Sequence, residues 1–427
     1  MKNIIQLLGS AVLIAAVHCS YAQMTLTGEI RPRTEYRHGY KSLIDTSQSG
    51  VAFTEQRSRL VFGYSSEKYK VGVTLQDVRV WGSQSQLNKT DGLSSVHEAW
   101  GEYFFTKKFS AQLGRQEIVY DDERIWGGVN WTQQGRSHDV ALLKFADSTF
   151  TAHAGFAYNQ NAEANIGTSY TVTSNYKEMH FLWLNKKFNN LNASLLFLNN
   201  GIQSPVSINS TRFSQTVGPY LEYKKDKIFA SVRGYYQTGV DASKKDMQAY
   251  FAGADVSYAL IEKLTLGIGG EILSGQSQTD TTKAYNDINR SFNPLYGTGH
   301  KFNGYMDYFY VGNHLNSVGL NDFYFKAKYK TEKWWTALDI HQFMAAADVL
   351  DKKELGLSGN YKAMNSALGT EIDFTAGYNL TKGVSLQIGY SQMFATETMQ
   401  ALKGGNKDET NNWMYMMLTF KPQFLKN

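Results

Sequence analysis

Apolar and polar side chains alternate with a period of two along nearly the whole of this chain, and the joints between the alternating stretches alternate in length. Successive side chains of a strand face opposite ways, so each stretch has one apolar and one polar face. Met24, Leu26, Ile30 and Tyr36 share one parity, while Thr25, Thr27, Glu29, Arg31, Arg33, Glu35 and Arg37 share the other. The pattern predicts strands near 24–37, 51–65, 69–81, 95–105, 109–119, 138–145, 150–159, 177–187, 191–199, 211–224, 228–238, 248–259, 263–274, 321–330, 334–344, 368–379, 383–394 and 411–420. Tight joints such as Ser66-Glu67-Lys68, Thr106-Lys107-Lys108, Lys225-Asp226-Lys227 and Thr331-Glu332-Lys333 take turns with long polar segments at 38–50, 82–94, 120–137, 160–176, 200–210, 239–247, 275–320, 345–367 and 395–410. A soluble sandwich has no reason to keep its long loops at one end. An outer-membrane barrel has short periplasmic turns, long extracellular loops and an even strand number. The expected fold is all-β: a closed antiparallel transmembrane β-barrel of about 18 strands, wide enough for an aqueous lumen.

The start of the chain agrees with export. A basic Met1-Lys2, a mostly apolar run from Ile4 to Val17 and the small-x-small site Ser20-Tyr21-Ala22 read as a signal peptide over 1–22, leaving a barrel domain over 23–427. Cys19 is the only cysteine, so the processed chain would have no disulfide. Beyond the leader no stretch approaches 18 consecutive apolar residues, which excludes helical spans, and mean hydropathy is −0.39. The expected place is the outer membrane of a diderm bacterium, with lipid around the wall. The last strand, from Asn411 to Phe420, has to pair with the first, because an open edge in lipid strands backbone groups. Pro32 and Pro219 fall within strands and predict a bulge or an early strand end at each. Phase slips near Gln76-Asp77-Val78 and Gly114-Arg115-Gln116.

The face expected to line the lumen carries the chemistry. The first two strands project Glu29, Arg31, Arg33, Glu35 and Arg37, then Glu55, Arg57 and Arg59; later strands add Arg212, Glu222, Arg233, Glu271, Asp339, His341, Glu371 and Asp373. Rings of Arg select anions, and rings of Asp or Glu favour cations. Two readings stay open: Arg–Glu ladders brace the wall, or they brace it and also select a ligand. The planar fork of Arg suits carboxylates, as on acidic sugars.

A second concentration runs from Leu113 to Asp139. It contains Gly114-Arg115-Gln116-Glu117, Asp121-Asp122-Glu123-Arg124, Trp126-Gly127-Gly128-Val129-Asn130-Trp131 and Gln133-Gln134-Gly135-Arg136-Ser137-His138-Asp139. So many charged and aromatic residues suggest a loop folded into the pore rather than a mere connector. These motifs, with Phe292-Asn293-Pro294-Leu295-Tyr296-Gly297-Thr298-Gly299-His300-Lys301-Phe302 and Gly304-Tyr305-Met306-Asp307-Tyr308, resemble the alginate-export family of outer-membrane porins. Motif-grade similarity covers about a tenth to a fifth of the chain. The resemblance implies an 18-stranded monomeric barrel with an Arg-rich constriction passing an anionic polysaccharide. The candidate substrate-binding residues are Arg31, Arg33, Arg57, Arg59, Arg115, Arg124, Trp126, Trp131, Arg136 and Arg233.

Enzyme chemistry finds little support. Ser137-His138-Asp139 holds triad residue types, but on a strand His138 faces away from the other two. His97 and His300 lack partners at metal-ligand spacing, and Asp121-Asp122-Glu123 lacks the Gly-punctuated loop of strong calcium motifs. The net charge of +5 is too diffuse for nucleic acid. The chain is expected to be no enzyme and to need no cofactor. It is expected to pass an anionic glycan, alginate-like, or as the alternative to act as a general or small-anion porin, with periplasmic export or uptake proteins as candidate partners. An outer-membrane hydrolase is the third class.

Overall fold

The computed structural model describes residues 23–167, 175–204, 207–310 and 312–426. The predicted signal peptide lies outside the described residues. Among the described residues, eighteen long strands form one antiparallel sheet that closes on itself. They are β1 (Gln23–His38), β2 (Val51–Ser65), β3 (Tyr69–Val80), β4 (Ser94–Phe104), β5 (Phe109–Gln116), β6 (His138–Ala146), β7 (Phe150–Tyr158), β8 (Glu178–Phe188) and β9 (Leu191–Ser204). The circuit continues with β10 (Ser207–Lys225), β11 (Ile228–Gly239), β12 (Ala249–Ile261), β13 (Leu264–Leu273), β14 (Leu320–Lys330), β15 (Trp334–Met344), β16 (Ala367–Thr381), β17 (Val384–Ala395) and β18 (Asn411–Phe420). Each strand pairs with its sequence neighbours. The seam closes where β18 meets β1, with Arg37 opposite Trp413 and Arg33 opposite Met417. A tail strand, Gln423–Lys426, extends the seam by pairing Leu425 with Leu26.

Closure satisfies every edge, which is what lets strands cross lipid. The outward parity is apolar: Ile30, Leu60, Leu75, Leu113, Phe156, Val232 and Ile268 are all exposed. Tyr69, Tyr103, Phe109, Phe188, Tyr223, Tyr258, Trp334 and Tyr378 ring the short-turn end. Such a belt sits at the membrane interface. The inward parity carries Arg31, Arg33, Arg57, Arg233, Glu271, Asp339, His341, Glu371 and Asp373, all buried.

Neither proline produces the expected bulge or strand end. Pro32 stays in register with Gln56 of β2, and Pro219 with Leu195 of β9. On the opposite side of each strand the ladder skips two residues and resumes in the same register, at Arg33 with Met417 and at Tyr220 with Arg233. Each proline therefore turns its missing N–H to the side where the ladder lapses. The slip near Gln76 is a real bulge: Thr74 faces Glu98 and Leu75 faces Val96, leaving His97 unpaired. At the second, Gly114 takes φ +119, yet both ladders keep register.

The buried apolar groups lie inside the barrel, between the wall and two long loops that fold inward. Residues 117–137 join β5 to β6 and will be called the inner loop; residues 274–319 join β13 to β14 and will be called the late loop. Ile118, Ile125 and Trp126 of the inner loop belong to one cluster with Met179, Phe181, Leu196 and Leu198 of β8 and β9. Met306, Tyr308 and Phe309 of the late loop join it with Phe343, Leu368 and Met393.

This topology predicts a labelling pattern in intact cells, using single cysteines and a membrane-impermeant thiol reagent. Leu87→Cys, in the exposed β3–β4 loop, reacts from outside; Lys107→Cys, in a short turn, reacts only after permeabilisation. Leu60→Cys stays unlabelled in both cases. The opposite order at positions 87 and 107 would mean the barrel is inverted.

Candidate functional site

A loop inside a barrel cannot hydrogen-bond to the wall's backbone, because the ladder has used those groups; it needs side-chain donors. Four arginines of β1 and β2 supply them. Arg31 donates to the carbonyls of Asn130 (2.8 Å), Thr132 (3.1 Å) and Trp131 (3.4 Å), and to Oε1 of Gln133. Arg33 donates to the Trp131 carbonyl at 2.6 Å, Arg57 to that of Gln133 and Arg59 to that of Gln134. Five consecutive carbonyls are thus held. The charges are balanced beside them, Arg33 by Glu35 and Glu55, and Arg57 by Glu29.

The inner loop then crosses to other walls. Arg124 Nη2 donates to both carboxylate oxygens of Glu271 of β13, and the guanidinium lies 3.6 Å over the Phe302 ring. Arg233 of β11 reaches back to Asp122 at 3.0 Å, and also pairs with Asp255 and Glu271. Asp121 accepts from Ser194 Oγ (2.7 Å) and Trp183 Nε1 (3.1 Å). Glu123 pairs with Lys301 at 3.2 Å. These three neighbouring carboxylates turn to three different partners, so they form no common cation cage. Tyr120 stacks on Trp183 at 4.5 Å.

The late loop locks onto the inner loop. Gly127 N–H donates to the Tyr296 carbonyl, Thr298 N–H to that of Glu123, and Arg136 Nη1 to that of Gly297 (3.2 Å). Glycines make this approach possible: a Cβ on Gly127 would lie 2.1 Å from Thr298 Oγ1, and one on Gly297 would lie 2.2 Å from the Arg124 carbonyl. The late loop is pinned to the wall in turn. Glu371 accepts from Met306 N–H (2.8 Å), and Asn303 donates to Glu271 and Asp322. His300, Asp307 and Tyr40 form a hydrogen-bonded chain.

The joined loops leave two vestibules. The one toward the short turns has a volume of about 670 Å³ and is walled by Trp131, Lys301, Tyr305, Lys326, Lys328 and Trp335. The one toward the long loops has a volume of about 730 Å³ and is walled by Arg136, Tyr176, Asn200, Asn289, Asn293 and Tyr296.

Of the residues picked from sequence, Arg31, Arg33, Arg57, Arg59, Arg124 and Arg233 have their forks taken up by loop carbonyls or carboxylates. Trp126 is 1 % exposed and stacked on Tyr296 at 4.8 Å, so it offers no face to a sugar. Trp131 lies between His300 (4.2 Å) and the Arg33 guanidinium (3.9 Å), leaving only its edge to the vestibule. Arg115, exposed near the end of β5 beside the buried Gln116, pairs with Asp139 at 2.8 Å, and both line the long-loop vestibule. Arg136 lines the long-loop vestibule as Arg115 does but, unlike Arg115, makes no ion pair with a carboxylate among the described residues. Burial lowers its affinity for a proton below that of a free guanidinium, so its charge is both partly desolvated and unbalanced. Sequence reasoning missed Lys301, Lys326, Lys328 and Tyr305, whose only signal was their place in the late-loop motif or on an inward strand parity.

No family model matches the chain, and no curated relative does. Solved structures do share its fold. Pseudomonas aeruginosa OpdQ is 12% identical with a TM-score of 0.61, over 94% of this chain and 98% of that one. OpdL of the same organism is 10% identical with a TM-score of 0.61, over 94% and 99%. OpdK, whose structure was determined with vanillate, is 9% identical with a TM-score of 0.57, over 94% and 99%. The likeness is one of fold. The chain is a closed antiparallel barrel of that 18-strand fold, and no comparison shows it to belong to the alginate-export family.

Asp121 offers a test of how the inner loop is held. Burial raises its pKa to about 6 from 3.8, against the two donated hydrogen bonds and with help from the neighbouring Asp122 charge. The folded value exceeds the unfolded one, so ionisation opposes the folded loop: the penalty is absent below about pH 4, grows to about pH 6 and is complete above. Asp121→Asn keeps an acceptor for Ser194 and Trp183. It should stabilise the loop by about 1–3 kcal/mol at pH 7.5 and by nothing at pH 3.5, read from protease resistance of the 117–137 segment. Equal effects at both pH values would refute the assignment.

Removing Arg31 probes the opposite anchor. Arg31→Ala leaves the Asn130 and Thr132 carbonyls and Gln133 Oε1 without this donor, Trp131 keeping Arg33, and should cost roughly 3–5 kcal/mol in the loop's attachment while the barrel still closes. Single-channel conductance should rise as the loop leaves the lumen.

Proposed function

We propose that the chain is a porin for small organic anions, drawn past Arg136 between the two vestibules. The observation that carries this reading is Arg136, which lines the long-loop vestibule and, among the described residues, makes no ion pair with a carboxylate; only its Nη1 is engaged, by the Gly297 carbonyl. An anion arriving there can gain a charge-assisted contact from the rest of the fork, leaving Nη1 on the Gly297 carbonyl. On the other side of the septum, Lys328 stands among Trp131, Tyr305, Tyr324 and Trp335, while the neighbouring Lys326 is paired with Asp339 at 3.3 Å. Cations and aromatic rings together suit an organic acid with a planar body. OpdK, of the same fold, was crystallised with vanillate, an aromatic carboxylate. Weak contacts on either side of a narrow septum let a solute enter and still leave.

An acidic oligosaccharide is the second reading. It is favoured by the amide-rich long-loop vestibule, where Asn200, Asn289 and Asn293 offer paired donors and acceptors to hydroxyls. A long polymer fits less well, since both inward loops would have to leave the lumen together.

In planar bilayers the wild-type channel should prefer anions at low salt, and the preference should fade as ionic strength rises and screening shortens the field. Arg136→Gln should lower the anion-to-cation permeability ratio by about threefold to tenfold and weaken block by vanillate or glucuronate by a similar factor. Arg124→Gln serves as contrast: it disturbs the loop without removing an unpaired charge. A cation-selective wild type, or an Arg136→Gln channel with unchanged selectivity, rules the proposal out.

A further inference from the structure

Glu371 and Asp373 follow one another on the inward row of β16, and both are enclosed, at 0% and 1% exposure. The two side chains lie within hydrogen-bonding reach of each other. One oxygen of each is engaged elsewhere: Glu371 Oε1 accepts from Met306 N–H of the late loop, and Asp373 Oδ1 from Ser391 Oγ of β17. The remaining oxygens, Glu371 Oε2 and Asp373 Oδ2, are buried and find no donor among the described residues. Two neighbouring carboxylates in that position repel unless a proton lies between them.

The surroundings supply no spare cation. His341 of β15 stands opposite Glu371 in register, but its Nδ1 is on Asp322 of β14 at 2.9 Å, which leaves at most a share of its charge for the pair. Asp339 stands opposite Asp373 and is paired with Lys326 of β14 at 3.3 Å. On the late loop, Asp307 is tied to His300 at 2.9 Å. Tyr305 and Tyr308 of that loop and Tyr415 of β18 add phenols, which stay neutral through about pH 8. The pair is also where the late loop meets the wall. Gly304, at φ +79, passes so close to the Glu371 carboxylate that a Cβ there has no room.

We propose that Glu371 and Asp373 hold one proton between them, and that this proton is the latch keeping the late loop against β16 and the septum narrow. The device acts on the septum itself and is indifferent to which solute passes. With the loop in place the pair binds one proton. With the loop lifted away, water reaches both carboxylates, and each ionises as an ordinary acid near about pH 4. Above that the released state holds one proton fewer, so every unit rise in pH favours release by up to about tenfold. The effect ends only where the latched pair itself gives up its proton. Lys403, outside the barrel wall, works in the opposite sense. It donates to the Asn313 carbonyl of the late loop at 2.9 Å, and burial lowers its pKa to about 8, so at higher pH it favours the latched state.

Single-channel recording between about pH 6.5 and pH 8, below the range where Lys403 intervenes, tests the latch. In the wild type the ratio of wide to narrow conductance levels should rise about threefold to tenfold per pH unit. Glu371→Gln and Asp373→Asn each put a fixed amide N–H where the proton lies, and each keeps the oxygen that Met306 N–H or Ser391 Oγ uses. Either variant should stay at the narrow level, its ratio changing by less than about 1.5-fold per pH unit. Heat-modifiable migration on gels checks that each variant is folded. A wild type whose ratio does not respond to pH, or a wild-type slope kept in either folded variant, overturns the proposal. So does widening of the wild type at pH 6.5 when EDTA is added, which would put a divalent cation between the carboxylates instead of a proton.

Discussion

The interior of this barrel depends on how a polypeptide loop is held in a tube whose own backbone is fully used. Backbone carbonyls taken from water need donors, and leaving one without a partner costs about as much as a hydrogen bond yields. Arginine is the side chain suited to the task, with five donors in a rigid fork and a charge that does not titrate away. Four of them on two adjacent strands hold the carbonyls of Asn130 through Gln134. Lysine could not substitute. Its three donors radiate from one atom, whereas Arg31 reaches three successive carbonyls and an amide oxygen at once.

That anchoring decides the shape of the lumen. Once 130–134 is fixed to β1 and β2, the rest of the inner loop spans to β8, β9, β11 and β13 through Asp121, Asp122 and Arg124. The late loop closes on it by backbone contacts that only Gly127 and Gly297 permit. The septum between the vestibules is therefore made of two loops that each hold the other, and neither position is intelligible alone.

Much of the wall was legible in the sequence. Period-two alternation is local, and it placed strands such as 51–65, 334–344 and 411–420 at their observed limits. The inward parity of Arg31, Arg33, Arg57 and Arg233 followed from the same period. The expectation for Pro32 and Pro219 erred because a strand has two ladders, and sequence does not say which side has a gap to spare. The site was less legible, since what matters there is pairing across the barrel. Arg115 and Arg136 flank one loop and look alike in sequence. Both line the long-loop vestibule, but Arg115 is paired with Asp139 while Arg136 has no carboxylate partner among the described residues, a difference of pairing that sequence does not display.

Bracing and selecting are alternatives for a given guanidinium, and the arrangement separates them. A fork paired with a carboxylate such as Glu271 cannot attract a passing anion without releasing that partner, so its charge is locally cancelled. The field at the septum then comes from the few groups left unbalanced, not from the arginine count. A chain with many inward arginines can thus be nearly neutral where solutes pass. Here the ion pairs that hold the loops also clear the background, so that the few cations without a carboxylate partner among the described residues, Arg136 on one side and Lys328 on the other, can set the sign of what passes.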